Sequence, residues 1–240
     1  MLRALQLTKH YGNFTALDHL DLEVDNGEIF CLLGANGAGK TTTINLFMGF
    51  IEASAGQAYI DELVVRPGDA KIKQRIGYIP ENVMLYPELS GLQNLSYLSQ
   101  LSGKKYNKAE LGTFLQQANL EAEAIHQPVA QYSKGMRQKV GIALALAKEA
   151  SALFLDEPTS GLDPLASNEF SNLLQQLSQR GVSILMVTHD LFRAKEVANR
   201  VGIMKAGQLV EVLDATTVSH SELERIYVET ISAPLLAVGA

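Results

Sequence analysis

The sequence predicts an α/β fold with three parts: a mostly parallel sheet covered on both faces, an antiparallel β subdomain, and an inserted helical subdomain. Three observations carry this reading. In the second half, apolar strand-like runs alternate with helix-like segments, the pattern of a covered parallel sheet. Short runs that can pair as strands crowd the first 65 or so residues. From about 82 to 135 helical faces dominate and convincing strands are few. With 240 residues the chain can build one large domain bearing a subdomain. One domain over 1–240 is therefore expected, with the helical subdomain at about 82–147 once the helix before residue 148 is counted.

The elements follow in order. Leu2 to Leu7 alternates well enough for a strand, and Leu20 to Val24 supplies another. Ile29 to Leu33 is a buried strand, and Thr41 to Met48 can begin a helix. Gly56 to Ile60 and Leu63 to Val65 are short strands around an Asp61-Glu62 turn. Ile76 to Ile79 is a strand ended by Pro80. In the helical stretch, Leu92, Leu95, Tyr97, Leu98 and Leu101 share one face, and Leu111, Phe114 and Leu115 share another. Gly91, Gly103 and Pro128 punctuate it. A helix from about Gly135 to Ala147 precedes the strand Ala152 to Leu155. A helix near Leu165 to Gln179 is stopped by Gly181, and Val182 to Val187 is a further buried strand. Val201 to Met204 and Gln208 to Leu213 form a hairpin through Ala206-Gly207, and Glu222 to Val228 is a last helix.

Between the strand at Ile29 and the helix at Thr41 lies Gly34-Ala35-Asn36-Gly37-Ala38-Gly39-Lys40-Thr41, a complete G-x-x-x-x-G-K-[ST] loop. Strand, glycine loop and helix in that order make a P-loop NTPase core. Backbone N–H groups of such a loop can surround a phosphate chain. Gly34, Asn36, Gly37, Ala38, Gly39, Lys40, Thr41 and Thr42 are the expected phosphate-binding residues. Lys40 is expected to reach the β and γ phosphates, and the Thr41 hydroxyl to complete a magnesium shell. The predicted ligand is a nucleoside triphosphate.

Composition narrows the alternatives. Lys and Arg total 20 against 26 Asp and Glu, a formal charge of −6. That balance argues against a general nucleic-acid binder, which needs concentrated positive charge. A single cysteine, Cys31, excludes an intrachain disulfide framework and reads as a buried thiol in the strand. The N-terminus lacks a signal-peptide pattern, and no apolar run approaches the roughly 18 residues of a membrane span. The expected location is cytoplasmic, with any membrane association supplied by a partner.

Two further strand ends carry chemistry. Leu153-Phe154-Leu155-Asp156-Glu157 delivers adjacent carboxylates to the C-terminal sheet edge, where ligands of open α/β folds bind. Asp156 can take magnesium directly or through a water, and Glu157 can orient and activate a water for attack on the γ-phosphoryl group. His189, after the apolar run Val182 to Thr188, should emerge at the same edge and donate a hydrogen bond to developing phosphate charge.

Three more segments complete a resemblance. Tyr132-Ser133-Lys134-Gly135-Met136 precedes a helix, Ser160-Gly161-Leu162-Asp163 follows the acidic pair, and Thr188-His189-Asp190 ends the late strand. In order and spacing, over roughly residues 3 to 215, the chain resembles the nucleotide-binding subunit of an ABC transporter. The resemblance implies one ABC-type ATP-binding domain, an ATPase using ATP and Mg2+. It implies a head-to-tail homodimer with two ATP molecules at the interface, Ser133 and the Gly135 N–H gripping the γ-phosphate of the opposite subunit. Tyr11 would lie against adenine, and Asp163 would couple the two sites. Glu81, at the end of Gly77-Tyr78-Ile79-Pro80-Glu81, stands where the family has Gln and would contribute to magnesium. Tyr132, Lys134 and Met136 also depart from the usual Leu, Gly and Gln. Lys134 would either attract the opposing phosphates or extend into water. These departures resemble exporters with separate permease polypeptides. The implied function is therefore an ATPase subunit on the inner face of the cell membrane, powering export by a multispanning permease. A soluble ABC ATPase acting on ribosomes or DNA is the alternative. The residues after about 215 would cap the sheet or extend the dimer contact.

Overall fold

A computed structural model of the chain describes residues 1–233. Its centre is a six-stranded sheet in the order β10-β9-β3-β8-β7-β6. The strands are β3 (Ile29–Leu33), β6 (Ile76–Ile79), β7 (Ala152–Asp156), β8 (Ser183–Thr188), β9 (Arg200–Lys205) and β10 (Gln208–Asp214). All neighbours in it pair parallel except β10, which returns antiparallel along β9. A second sheet, wholly antiparallel, runs β2-β1-β4-β5 from β1 (Leu2–Tyr11), β2 (Phe14–Val24), β4 (Ala55–Ile60) and β5 (Leu63–Val64).

Burial on both faces explains why the central strands lack polar alternation. Ile29, Cys31 and Leu33 point into one core, with Leu153, Leu155, Ile184 and Met186. Phe30 and Leu32 point into the other, with Phe154, Leu185 and Val187. The first core is closed by helices. The second is closed mainly by the antiparallel sheet with α1 (Lys40–Phe47) and Ile72 of α2 (Ala70–Arg75). The expected two-sided cover is present, and one of its sides is β-sheet rather than helix. Burial pushes the Cys31 thiol well above its ordinary range, as suits a side chain filling strand space.

Between β6 and β7 the chain makes α3 (Gly91–Leu101), α4 (Lys108–Gln117) and α5 (Lys134–Ala147). Ser90 with Gln93, and Asn107 with Glu110, are reciprocal capping boxes that start α3 and α4. Tyr132, just before α5, is 4% exposed and donates its hydroxyl hydrogen to the Ala124 carbonyl at 2.5 Å. Its ring needs the space at Gly91, where a Cβ would lie 2.4 Å from the Tyr132 hydroxyl oxygen. Tyr132 therefore anchors the segment ahead of α5 to the start of α3. The remaining helices are α6 (Pro164–Gln179), α7 (Leu191–Val197) and α8 (His220–Ser232).

Two strands are longer than periodicity suggests. β1 continues to Tyr11 and β2 begins at Phe14, through register shifts that break the period-two pattern. Gln6 and His19 take positive φ, 49° and 47°, at these irregularities. The short helices α2 and α7 escape apolar periodicity, although Asp69 and Asp190 cap them. Residues 234–240 of the expected capping tail lie outside the described residues.

The Ala124 carbonyl also accepts the Gln127 N–H, so Tyr132→Phe removes one of its two bonds and is expected to cost about 1 kcal/mol. Tyr132→Ala also empties a packed site and should cost about 3–5 kcal/mol. Urea denaturation checks both; equal midpoints for Tyr132→Ala and the wild type would contradict the anchoring role.

Candidate ATP site

β3, flanked by β8 and β9, ends at the glycine loop. A Cβ on Gly34 would lie 2.6 Å from the Met204 carbonyl oxygen of β9, so the loop can leave the strand here only as glycine. Gly39 has φ 107° and precedes α1 without any side-chain cap. The first amides of α1 therefore lack the usual capping oxygen and suit an anion. Thr43, one turn in and buried, donates its hydroxyl to the Gly39 carbonyl at 3.0 Å and fixes the loop's end. Lys40 is 8% exposed, and its ammonium donates to the Gly34 and Ala35 carbonyls at 2.6 and 3.2 Å. Burial lowers its pKa, while the charges of Glu157 and Asp156 work the other way.

Tyr11, expected to lie against adenine, stands beside this loop. Tyr11, Phe14 and Ala16 join Asn36 to Thr42 around an open cavity of about 200 Å³. Tyr11 is exposed with the Lys9 ammonium 5.0 Å from its ring centroid. Phe14, 61% exposed and opposite Tyr11 in the β1–β2 register, was not singled out by the sequence reading. Its signal is the Y-G-x-F hairpin itself.

At the ends of β7 and β8 a second group assembles. Glu157 sits in the left-handed region, φ 46°, and its N–H donates to the Val187 carbonyl at 2.9 Å. This turn aims its carboxylate at β8. Oε2 accepts the Thr188 hydroxyl at 2.9 Å, and Oε1 lies 2.8 Å from Nδ1 of His189. Thr188, buried and absent from the predicted site, fixes the carboxylate that the sequence singled out. Asp156 is half-buried, and its carboxyl is raised above its ordinary value by burial and by the charges of Glu157 and Glu81, against the pull of Lys40. Asp156 and Glu157 thus lie within electrostatic reach of Lys40, and Glu81 within reach of Asp156.

Ser133 and Gly135 stand apart from both groups. Ser133 caps α5, its side chain accepting the Met136 N–H at 3.2 Å, and Gly135 is buried against Ala166 and Leu162. Neither lines the loop cavity or the cleft of about 310 Å³ around Glu157 and His189. Gln138, a turn later and fully buried, donates to the Pro158 carbonyl and joins α5 to the loop after the acidic pair. Asp163 caps α6 by accepting the Ala166 N–H at 2.9 Å.

The sequence matches the profile of the ABC transporter family over residues 17–160, more than half of the chain. The chain belongs to the ABC transporter family. It is an ATP-binding subunit with the α/β fold of the ABC-type ATPases. It is 35% identical over 213 residues to the probable multidrug ABC transporter ATP-binding protein YbhF of Escherichia coli (strain K12). That match covers 88% of this chain and 36% of YbhF, so the cassette spans about a third of that relative's length. It is also 35% identical over 218 residues to the glutamate/aspartate import ATP-binding protein GltL of the same organism, covering 88% of this chain and 90% of GltL. Among solved structures, the dimeric post-hydrolysis ATP-binding cassette MJ0796 bound to ADP and Pi superposes with TM-score 0.79 at 25% identity. It covers 90% of this chain and 99% of that one.

The cassette's residues fit the family's ATP and magnesium. The uncapped α1 start and the buried Lys40 suit phosphate. Among the described residues no cluster of three or more His, Cys, Asp or Glu could hold a metal by itself. A magnesium site here would rest on a hydroxyl, one or two carboxylates, phosphate oxygens and water, the set this ion favours.

A raised Asp156 carboxyl means that the fold disfavours its ionised form. The resulting destabilisation is present above the folded-state value and vanishes as pH falls below the ordinary value near 3.8. Asp156→Asn should therefore raise Tm at pH 7, with a gain that shrinks toward pH 4. Thermal unfolding without nucleotide at the two pH values checks this; a lowered Tm at pH 7 would contradict the assignment.

Proposed function

We propose that the cassette binds magnesium and ATP, hydrolyses the ATP across a pair of identical subunits, and drives export through a separate multispanning permease on the inner face of the cell membrane. The observation that carries hydrolysis is the Glu157 carboxylate, already oriented by Thr188 and His189 at the sheet edge that bears the Lys40 loop.

Glu157 takes the proton of the attacking water, whose oxygen then bonds to the γ-phosphorus as the bond to the leaving oxygen breaks. Thr188 and His189 hold the receiving oxygens. With Nδ1 donating to Glu157, donation from Nε2 to the γ-phosphate requires the protonated ring. The loop from Gly34 through Thr42 wraps the phosphates, Lys40 exchanges its loop carbonyls for β- and γ-phosphate oxygens, and Tyr11 packs on adenine. Magnesium, when bound, neutralises phosphate charge; Thr41 and Asp156 would hold it, with Glu81 contributing.

The paired arrangement has three supports. The loop cavity of about 200 Å³ is smaller than the roughly 300–1,000 Å³ usual for small-molecule sites, as a half-site would be. Ser133 is exposed and lines neither cavity of its own subunit, leaving it free to face another subunit's γ-phosphate, and Gly135 follows it in the first turn of α5. The cassette MJ0796, 25% identical, is dimeric with ADP and Pi. For the permease, the support is a groove of about 540 Å³ between β6 and α3, where Phe50, Tyr78, Leu98 and Leu101 offer apolar surface. No described helix is long and apolar enough to cross a membrane. The export direction rests on Glu81 and the Tyr132-to-Met136 departures, and YbhF is named for multidrug transport.

Glu157→Gln should keep ATP binding while slowing turnover about 10²–10⁴-fold, and ATP should then shift it toward dimer in sedimentation. Wild-type phosphate release from this variant would sink the assigned base. Co-purification from detergent-solubilised membranes should recover a multispanning protein; ribosomes or DNA alone would point to the soluble alternative.

A further inference from the structure

Glu81 and Lys134, two departures from the family pattern, meet in space. Lys134 is the first residue of α5, and its ammonium donates to the Ser160 carbonyl at 2.5 Å. It also lies 3.7 Å from Oε1 of Glu81. The Ser160 hydroxyl donates to that same Glu81 oxygen at 3.1 Å. Three segments are thereby joined at one point: the Glu81 stretch after β6, the start of α5, and the loop that follows Glu157. Lys134 neither extends freely into water nor faces outward. Its side chain is only 25% exposed, against 49% for Glu81.

Building on the ATPase reading above, we propose that Lys134 is a positioning residue. It latches Glu81 and Ser160 to the start of α5, and so competes with magnesium for the Glu81 carboxylate. A carboxylate shared by an ammonium and a hydroxyl offers fewer lone pairs to magnesium. An uncharged residue at either position ends the link. Glutamine at 81 loses the ion pair, and alanine at 134 loses both the pair and the bond to Ser160. The two departures therefore act together as one device.

The test compares the nucleotide-free full chain with Lys134→Ala, Lys134→Arg, Glu81→Gln and the double variant by amide hydrogen exchange. In Lys134→Ala, exchange over residues 80–84 and 158–161 should quicken about two- to fivefold, the range of a partly exposed pair. Lys134→Arg should restore it, and over residues 80–84 the double variant should exchange no faster than Glu81→Gln. The second readout is the magnesium concentration for half-maximal binding of a fluorescent ATP analogue. It should fall about two- to fivefold in Lys134→Ala and stay put when Lys134→Ala is made in Glu81→Gln. Unchanged exchange in Lys134→Ala overturns the latch, and so does a magnesium shift that persists in the Glu81→Gln background. A wild-type chain that binds no nucleotide defeats the ATPase reading instead, and the exchange arm then decides the latch by itself.

Discussion

One carboxylate ties the chemistry to the fold. Glu157 leaves β7 in a left-handed turn, bonds its N–H to Val187 of β8, and spans to Thr188 and His189 at the end of that strand. Left-handed backbone is unfavourable for a residue with a Cβ, and it persists where surrounding contacts over-determine it. Here the contacts are a backbone bond and a two-oxygen side-chain clasp. They work because β3, β8 and β7 are adjacent and parallel, so their C-terminal ends reach one edge. Were β8 displaced by one strand, the carboxylate would lose both partners and the loop of Lys40 would lose its neighbour.

Much of this was legible because the informative residues are local. The glycine loop is contiguous, and its setting between the apolar run Ile29–Leu33 and a helix is contiguous too. The buried strands announce themselves through unbroken apolar runs, and the pair Asp156-Glu157 is recognisable at the end of one. What escaped depends on contacts between distant segments. Thr188 looks like one more β-branched strand residue until the turn at Glu157 brings a carboxylate to it. Gln138 reads as a polar residue on a helix, yet it is buried against Pro158. Phe14 gains meaning only when β1 and β2 pair and set it opposite Tyr11. The bulged pairing of those strands, with positive φ at Gln6 and His19, also hid their true length.

The departures from the family pattern turn out to have physical partners. Tyr132 replaces a smaller apolar residue and is matched by the bare backbone of Gly91 and the carbonyl of Ala124. Lys134 is matched by Glu81 and Ser160. Substitutions that sit far apart in sequence thus form complementary sets around the start of α5. That helix start carries Ser133 and Gly135, so in the proposed pair its position sets what a second subunit would meet.

The subunit presents an open phosphate loop and a helix start whose Ser133 and Gly135 line neither the loop cavity nor the cleft at Glu157. The account requires that each is finished by the other from a second copy. Cysteines introduced singly as Asn36→Cys and Gln131→Cys, in separate preparations carrying Glu157→Gln, provide the most direct test when mixed; both positions are exposed, and the native Cys31 is buried. Disulfide formation between the two chains should appear with saturating ATP and magnesium and be absent without nucleotide. No crosslink under saturating nucleotide, or the same yield with and without it, would contradict the account.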